Sequence, residues 1–131
     1  HEDGVSRMTI ECRADASQAK RLEANLYKLV PVLRVDDVTT LERVQRVLAL
    51  IKVAVGQARR PEVLQLLEVF GARAVDVGPE MLVIEMTGRP SQVKQLAGVL
   101  EPYGIVELAQ TGAVAMTRSV EKPELGRGKA A

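Results

Sequence analysis

The sequence predicts an α+β fold made of two related units in tandem. Short segments in which apolar and polar residues alternate, the period of a half-buried strand, are separated by segments with the apolar spacing of a helix. The chain also resembles itself when it is shifted by 74 positions, with eight identities in the 23 positions from residue 10 to residue 32. The identical pairs are Ile10 with Ile84, Glu11 with Glu85, Ser17 with Ser91, Gln18 with Gln92, Lys20 with Lys94, Leu22 with Leu96, Leu26 with Leu100 and Val32 with Val106. A match of this length without a gap indicates an internal repeat.

The first unit is predicted to have the order strand, helix, strand. Residues 5–13 alternate between apolar and polar side chains, which is typical of a strand. Asp15 followed by Gln18 has the spacing of a capping box, so a helix is expected to begin there and to end before Pro31. Residues 32–38 then form a second predicted strand.

The second unit is longer and is predicted to follow the order β-α-β-β-α-β. A strand over residues 44–55 is followed by a helix with Pro61 in its first turn and Gly71 at its end. Two strands then flank the turn formed by residues 78–80, which predicts a hairpin. A second helix begins at Pro90, and extended segments follow over residues 105–109 and 113–117. This order is that of a ferredoxin-like fold.

The repeat suggests how the chain is divided into domains. Residues 1–40 correspond to the C-terminal β-α-β half of a ferredoxin-like unit, residues 41–118 to a whole unit, and residues 119–131 to a flexible tail. The first half of the first unit would then lie upstream of His1. Because one helix and two strands offer little apolar surface to bury, we expect residues 1–38 to be marginally stable unless another chain completes their sheet.

Composition argues against several classes of function. The 131 residues include 18 Lys and Arg and 17 Asp and Glu, so the net charge of +1 offers no positive excess for nucleic acid. The longest apolar runs fall far short of the roughly 20 residues of a membrane-spanning helix. We therefore expect neither nucleic acid nor a membrane as a partner.

No residue combination points to catalysis or to a metal site. The only cysteine, Cys12, is expected to be a small buried hydrophobe, and the only histidine is His1. Glu11 and Glu85 occupy equivalent positions of the repeat and are interpreted as solvated or interface charges rather than as a buried carboxylate pair. Arg59 and Arg60 precede a predicted helix, where an anion could bind, although a solvated pair is the simpler interpretation.

The strongest functional signal is a second apolar side on the predicted sheet. On the strand over residues 44–55, one face carries Val and Ile, while Leu48, Leu50 and Ala54 occupy the other face together with Lys52. Because helices cover only one side of a ferredoxin-like sheet, this second side predicts an association surface. The alternative is that the two domains of one chain cover each other.

Several stretches of the chain resemble one known family. In order, they are residues 6–10 (SRMTI), 26–29 (LYKL), 35–39 (VDDVT), 49–53 (ALIKV), 69–77 (VFGARAVDV), 102–105 (PYGI) and 111–112 (TG). Together they resemble the regulatory, or small, subunit of acetohydroxyacid synthase, also called acetolactate synthase. The resemblance runs from residue 6 to about residue 118.

The resemblance implies a non-catalytic, cytoplasmic subunit with an N-terminal ACT domain and a C-terminal ferredoxin-like domain, assembled as a homodimer. Such a subunit would bind a catalytic subunit that carries thiamine diphosphate, FAD and magnesium, and would raise its activity. It would also convey feedback inhibition by a branched-chain amino acid, usually valine. In the family this effector binds mainly to a loop that lies upstream of His1, so no effector-contacting residue is assigned to this chain.

Four polar residues at strand ends or near the last turn are candidates for contact with the catalytic subunit. They are Arg73, Asp76, Glu107 and Thr111. The alternative function is an amino-acid-sensing module of the ACT type that regulates a different enzyme or a transcription factor. No residue is predicted to be catalytic or to bind a metal.

Overall fold

The computed structural model describes residues 3–119, which form both α-helices and a β-sheet. Its α-helices and strands are, in chain order, α1 (Ala16–Tyr27), β1 (Arg43–Ala54), α2 (Arg60–Phe70), β2 (Arg73–Val77), β3 (Met81–Gly88), α3 (Pro90–Leu100), β4 (Ile105–Gln110) and β5 (Val114–Thr117), and a short 3-10 helix (Glu101–Tyr103) follows α3. The predicted tail, residues 119–131, lies outside the described residues apart from Ser119. The contacts between Cα atoms divide the described residues into two units, residues 3–10 with Gln45–Val114, and Glu11–Val44 with residues 115–119.

The sheet of the first unit has the strand order β2-β3-β1-β4. The pairings of β1 with β3, of β1 with β4 and of β2 with β3 are all antiparallel. Together with α2 and α3, these strands give the order β-α-β-β-α-β with the two long strands in the middle. The ferredoxin-like order predicted for residues 41–118 is confirmed.

The core lies between this sheet and the two helices. Every second side chain of β1 points into it, and Ala49, Ile51 and Val53 have no solvent-exposed surface. Burial of each large aliphatic side chain contributes about 1.5–3 kcal/mol to folding. The core is completed by Leu82, Ile84 and Met86 from β3, Val63 and Leu67 from α2, and Val93, Leu96 and Leu100 from α3.

Local signals fix the ends of α2 as predicted. Pro61 occupies the first turn, and Gly71 closes the helix in the left-handed conformation with φ of 64°. At the helix start, Arg60 Nη2 donates hydrogen bonds to the carbonyl oxygens of Gly78 (2.6 Å) and Pro79 (2.8 Å). This side chain therefore ties α2 to the turn between β2 and β3.

In the second unit, α1 begins as the sequence predicts. The Gln18 amide donates to Asp15 Oδ1 at 2.8 Å, and the Asp15 amide donates to Gln18 Oε1 at 2.9 Å, which completes the capping box. The helix ends at Tyr27, four residues before Pro31. The Tyr27 hydroxyl accepts a hydrogen bond from the Val35 amide at 3.1 Å and donates one to the Val35 carbonyl oxygen at 3.2 Å. These bonds tie the segment after α1 to the end of the helix.

Two predicted strands and one burial prediction are wrong. Residues 5–13 and 32–38 form no strand in the described part of the chain. Met8 is 83% exposed, and Cys12 is exposed rather than buried. An alternating sequence forms a strand only when a neighbouring strand pairs with its backbone, and among residues 3–119 no strand pairs with either stretch. The first repeat therefore keeps its helix and lacks the strands predicted on both sides of it.

Candidate interaction surface

The sheet of the first unit has one face that α2 and α3 do not cover. Directly paired residues of antiparallel strands project to the same side, so the register of the strands identifies which side chains share this face. We call it the outer face. It is formed by Arg46, Leu48, Leu50, Lys52 and Ala54 of β1, Met81, Val83, Glu85 and Thr87 of β3, Arg73 and Asp76 of β2, and Glu107 and Ala109 of β4.

The centre of the outer face is apolar and partly exposed. Leu48 is 38% exposed, Leu50 39% and Met81 43%, in contrast to the fully buried side chains that alternate with them. A shallow depression of about 210 Å³ lies here, lined by Leu50, Lys52, Val83, Glu107 and Ala109. The apolar second side that the sequence predicts is therefore present, although its coverage by another protein stays a prediction.

Two ion pairs cross between strands on this face. Lys52 Nζ lies 2.8 Å from Glu107 Oε2. Arg73 donates from Nε (2.9 Å) and from Nη2 (2.7 Å) to the same Oε1 atom of Glu85. The hydrogen bond from Lys52 lowers the pKa of the Glu107 carboxyl, and the same bond raises the pKa of the Lys52 ammonium group. The direct attraction between the two charges acts in the same direction.

Three of the four predicted contact residues, Arg73, Asp76 and Glu107, share the outer face. Asp76 reaches it because the ladder between β2 and β3 is irregular between Ala74 and Asp76, which sets Asp76 opposite Val83. Asp76 lies within ion-pair distance of no described residue, but after Glu107 its negative charge also helps to raise the pKa of the Lys52 ammonium group on the same face.

Thr111, the fourth predicted contact residue, extends the pairing of β4 with β1 at the end of the strand. Its amide donates to the Leu48 carbonyl oxygen at 2.9 Å, and its hydroxyl accepts from the Leu48 amide at 3.1 Å. These bonds give Thr111 a structural role in the sheet. The role of all four residues in partner contact stays a prediction.

Lys52 and Glu85, the partners in the two ion pairs, were not among the predicted contact residues. In the sequence, Lys52 is a charged residue that interrupts the apolar run of the strand predicted over residues 44–55. Its pairing with Glu107 depends on the register of two strands that are 55 positions apart, and no local pattern specifies that register.

The remaining polar candidates have structural partners. Arg59 stacks 4.3 Å above the ring centroid of Tyr103 and lies 3.8 Å from Glu62, and Arg60 binds the hairpin turn. The Arg59 side chain is 55% exposed, which agrees with its interpretation as a solvated charge, whereas Arg60 is partly buried against the turn and does not fit that interpretation. Glu85 is paired with Arg73, and Glu11 is exposed.

Among residues 3–119, no group of three or more His, Cys, Asp and Glu side chains is placed to hold a metal ion. Within the same range, no helix has the length and apolar character needed to cross a bilayer.

Comparison with known proteins identifies the family. A family model described as the small subunit of acetolactate synthase matches residues 46–119. The chain is 42% identical over 125 residues to the acetolactate synthase small subunit of Aquifex aeolicus, covering 95% of this chain and 65% of the relative. It is 38% identical over 120 residues to the small subunit of Bacillus subtilis, covering 91% of this chain and 70% of the relative.

A solved structure gives the same assignment. The crystal structure of the acetolactate synthase small subunit from Thermotoga maritima matches with a TM-score of 0.73 and 37% identity, over 81% of this chain and 66% of that one. The chain thus spans about two thirds of the length of the relatives. These matches agree with the ferredoxin-like fold and with the stretches that carry the resemblance in the sequence. The chain therefore belongs to the family of acetolactate synthase small subunits.

Proposed function

We propose that this chain is a non-catalytic regulatory subunit that binds the catalytic subunit of acetolactate synthase and raises its activity. Membership in the small-subunit family is the observation that carries this proposal. The partly exposed apolar centre of the outer face supports it, because exposed apolar patches commonly mark surfaces for other proteins. In this proposal the catalytic subunit holds the thiamine diphosphate, FAD and magnesium, and this chain supplies only contacts.

The proposed mechanism is thermodynamic linkage between two binding events. A subunit raises the activity of its partner when it binds the active conformation of that partner more tightly than the inactive one. A branched-chain amino acid, valine in the first instance, would reverse the effect by binding preferentially to the inactive complex. A coupling free energy of about 1–3 kcal/mol would give inhibition of about 5- to 150-fold.

The test is to mix this chain with the catalytic subunit from the same source. Acetolactate formation is measured with and without the chain at saturating cofactors, and complex formation is followed by size-exclusion chromatography. Co-elution with a higher rate is the expected result. No co-elution and an unchanged rate would contradict the proposal and would favour an amino-acid-sensing module that acts on a different enzyme or on a transcription factor.

The valine dependence is read in the same assay, at increasing valine concentrations. A fall in the stimulated rate, with the rate of the catalytic subunit alone unchanged, would support feedback through this chain. A stimulated rate that does not respond to valine, leucine or isoleucine would limit the feedback part of the proposal to a chain that carries the effector loop expected upstream of His1, and would leave the activation part standing.

A further inference from the structure

We draw no further inference here: the strongest candidate, the partly exposed apolar centre of the outer face, carries none because basic and acidic side chains are balanced around it and nothing in the structure shows what covers it.

Discussion

The two repeats of this chain have matching sequences and different structures. Residues 10–32 and 84–106 share eight identities, and each contains one helix, α1 or α3. In the second repeat, α3 buries Val93, Leu96 and Leu100, whereas α1 buries none of its residues. Ile84 is fully buried, and its equivalent Ile10 is 57% exposed.

The comparison separates local from non-local determinants of structure. A helix satisfies its own backbone hydrogen bonds, so α1 needs no pairing partner, and the cap at Asp15 and a favourable sequence support it locally. A strand needs a neighbour. The strand that contains Ile84 lies between β1 and β2, whereas no strand pairs with residues 5–13 in the described chain.

The largest expected difference concerns two equivalent leucines. Leu96→Ala should lower the free energy of unfolding by about 2–5 kcal/mol, because Leu96 is fully buried and the truncation leaves a cavity. Leu22→Ala should cost less than about 1 kcal/mol, because Leu22 is already 36% exposed. Urea denaturation followed by circular dichroism measures both. Equal losses would show that α1 is packed as tightly as α3, in contradiction to the comparison.

A smaller effect is expected at the start of α1. Asp15→Ala removes the hydrogen bond to the Gln18 amide and should weaken the helix by about 1 kcal/mol. Because α1 buries no side chain, we expect faster amide hydrogen exchange within α1 and an unchanged midpoint of global unfolding. Asp15→Asn, which keeps an acceptor at the cap, is the control. A shifted global midpoint for Asp15→Ala alone would mean that the two units unfold together.

The fold of residues 41–118 follows from the sequence because its signals are local and agree with one another. Pro61 and Gly71 mark the ends of α2, and a turn of Gly and Pro separates β2 from β3. The strands of the first repeat could not be rejected in the same way. The alternation of residues 7–13 is as regular as that of β3, and whether a neighbouring strand is present is a property of the rest of the molecule.

The outer face was predicted only in part, for a related reason. The apolar positions follow from alternation along β1, which has no bulge between Val47 and Lys52. Strict alternation along β2 would instead place Val75 beside Arg73 and turn Asp76 to the helix side. The irregularity between Ala74 and Asp76 reverses this placement. A bulge depends on how two strands pair, so a local sequence pattern does not predict it. It changes which side chains of the strand lie on the outer face.

The smallest expected effect on stability concerns the ion pair between Lys52 and Glu107. The first repeat has no counterpart of this pair, because Leu33 stands at the position equivalent to Glu107. The pKa of Glu107 is lowered mainly by the hydrogen bond from Lys52. The ionised Glu107 carboxylate therefore contributes to stability at pH values above the ordinary carboxyl pKa. This contribution is lost as the pH falls through the lowered pKa of Glu107. The pKa of Lys52 is raised, so its contribution holds below the ordinary amine pKa and disappears as the pH rises through the raised value.

Because both groups are exposed, we expect the change in stability to be slight and the titration to be the sensitive measurement. Lys52→Met should return the pKa of the Glu107 carboxyl toward its ordinary value, as followed by NMR across the acid range. Lys94→Met removes an exposed ammonium group from α3 and should leave the Glu107 titration unchanged. If Lys94→Met moved that titration as far as Lys52→Met does, the overall charge of the unit rather than the cross-strand hydrogen bond would set the pKa of Glu107.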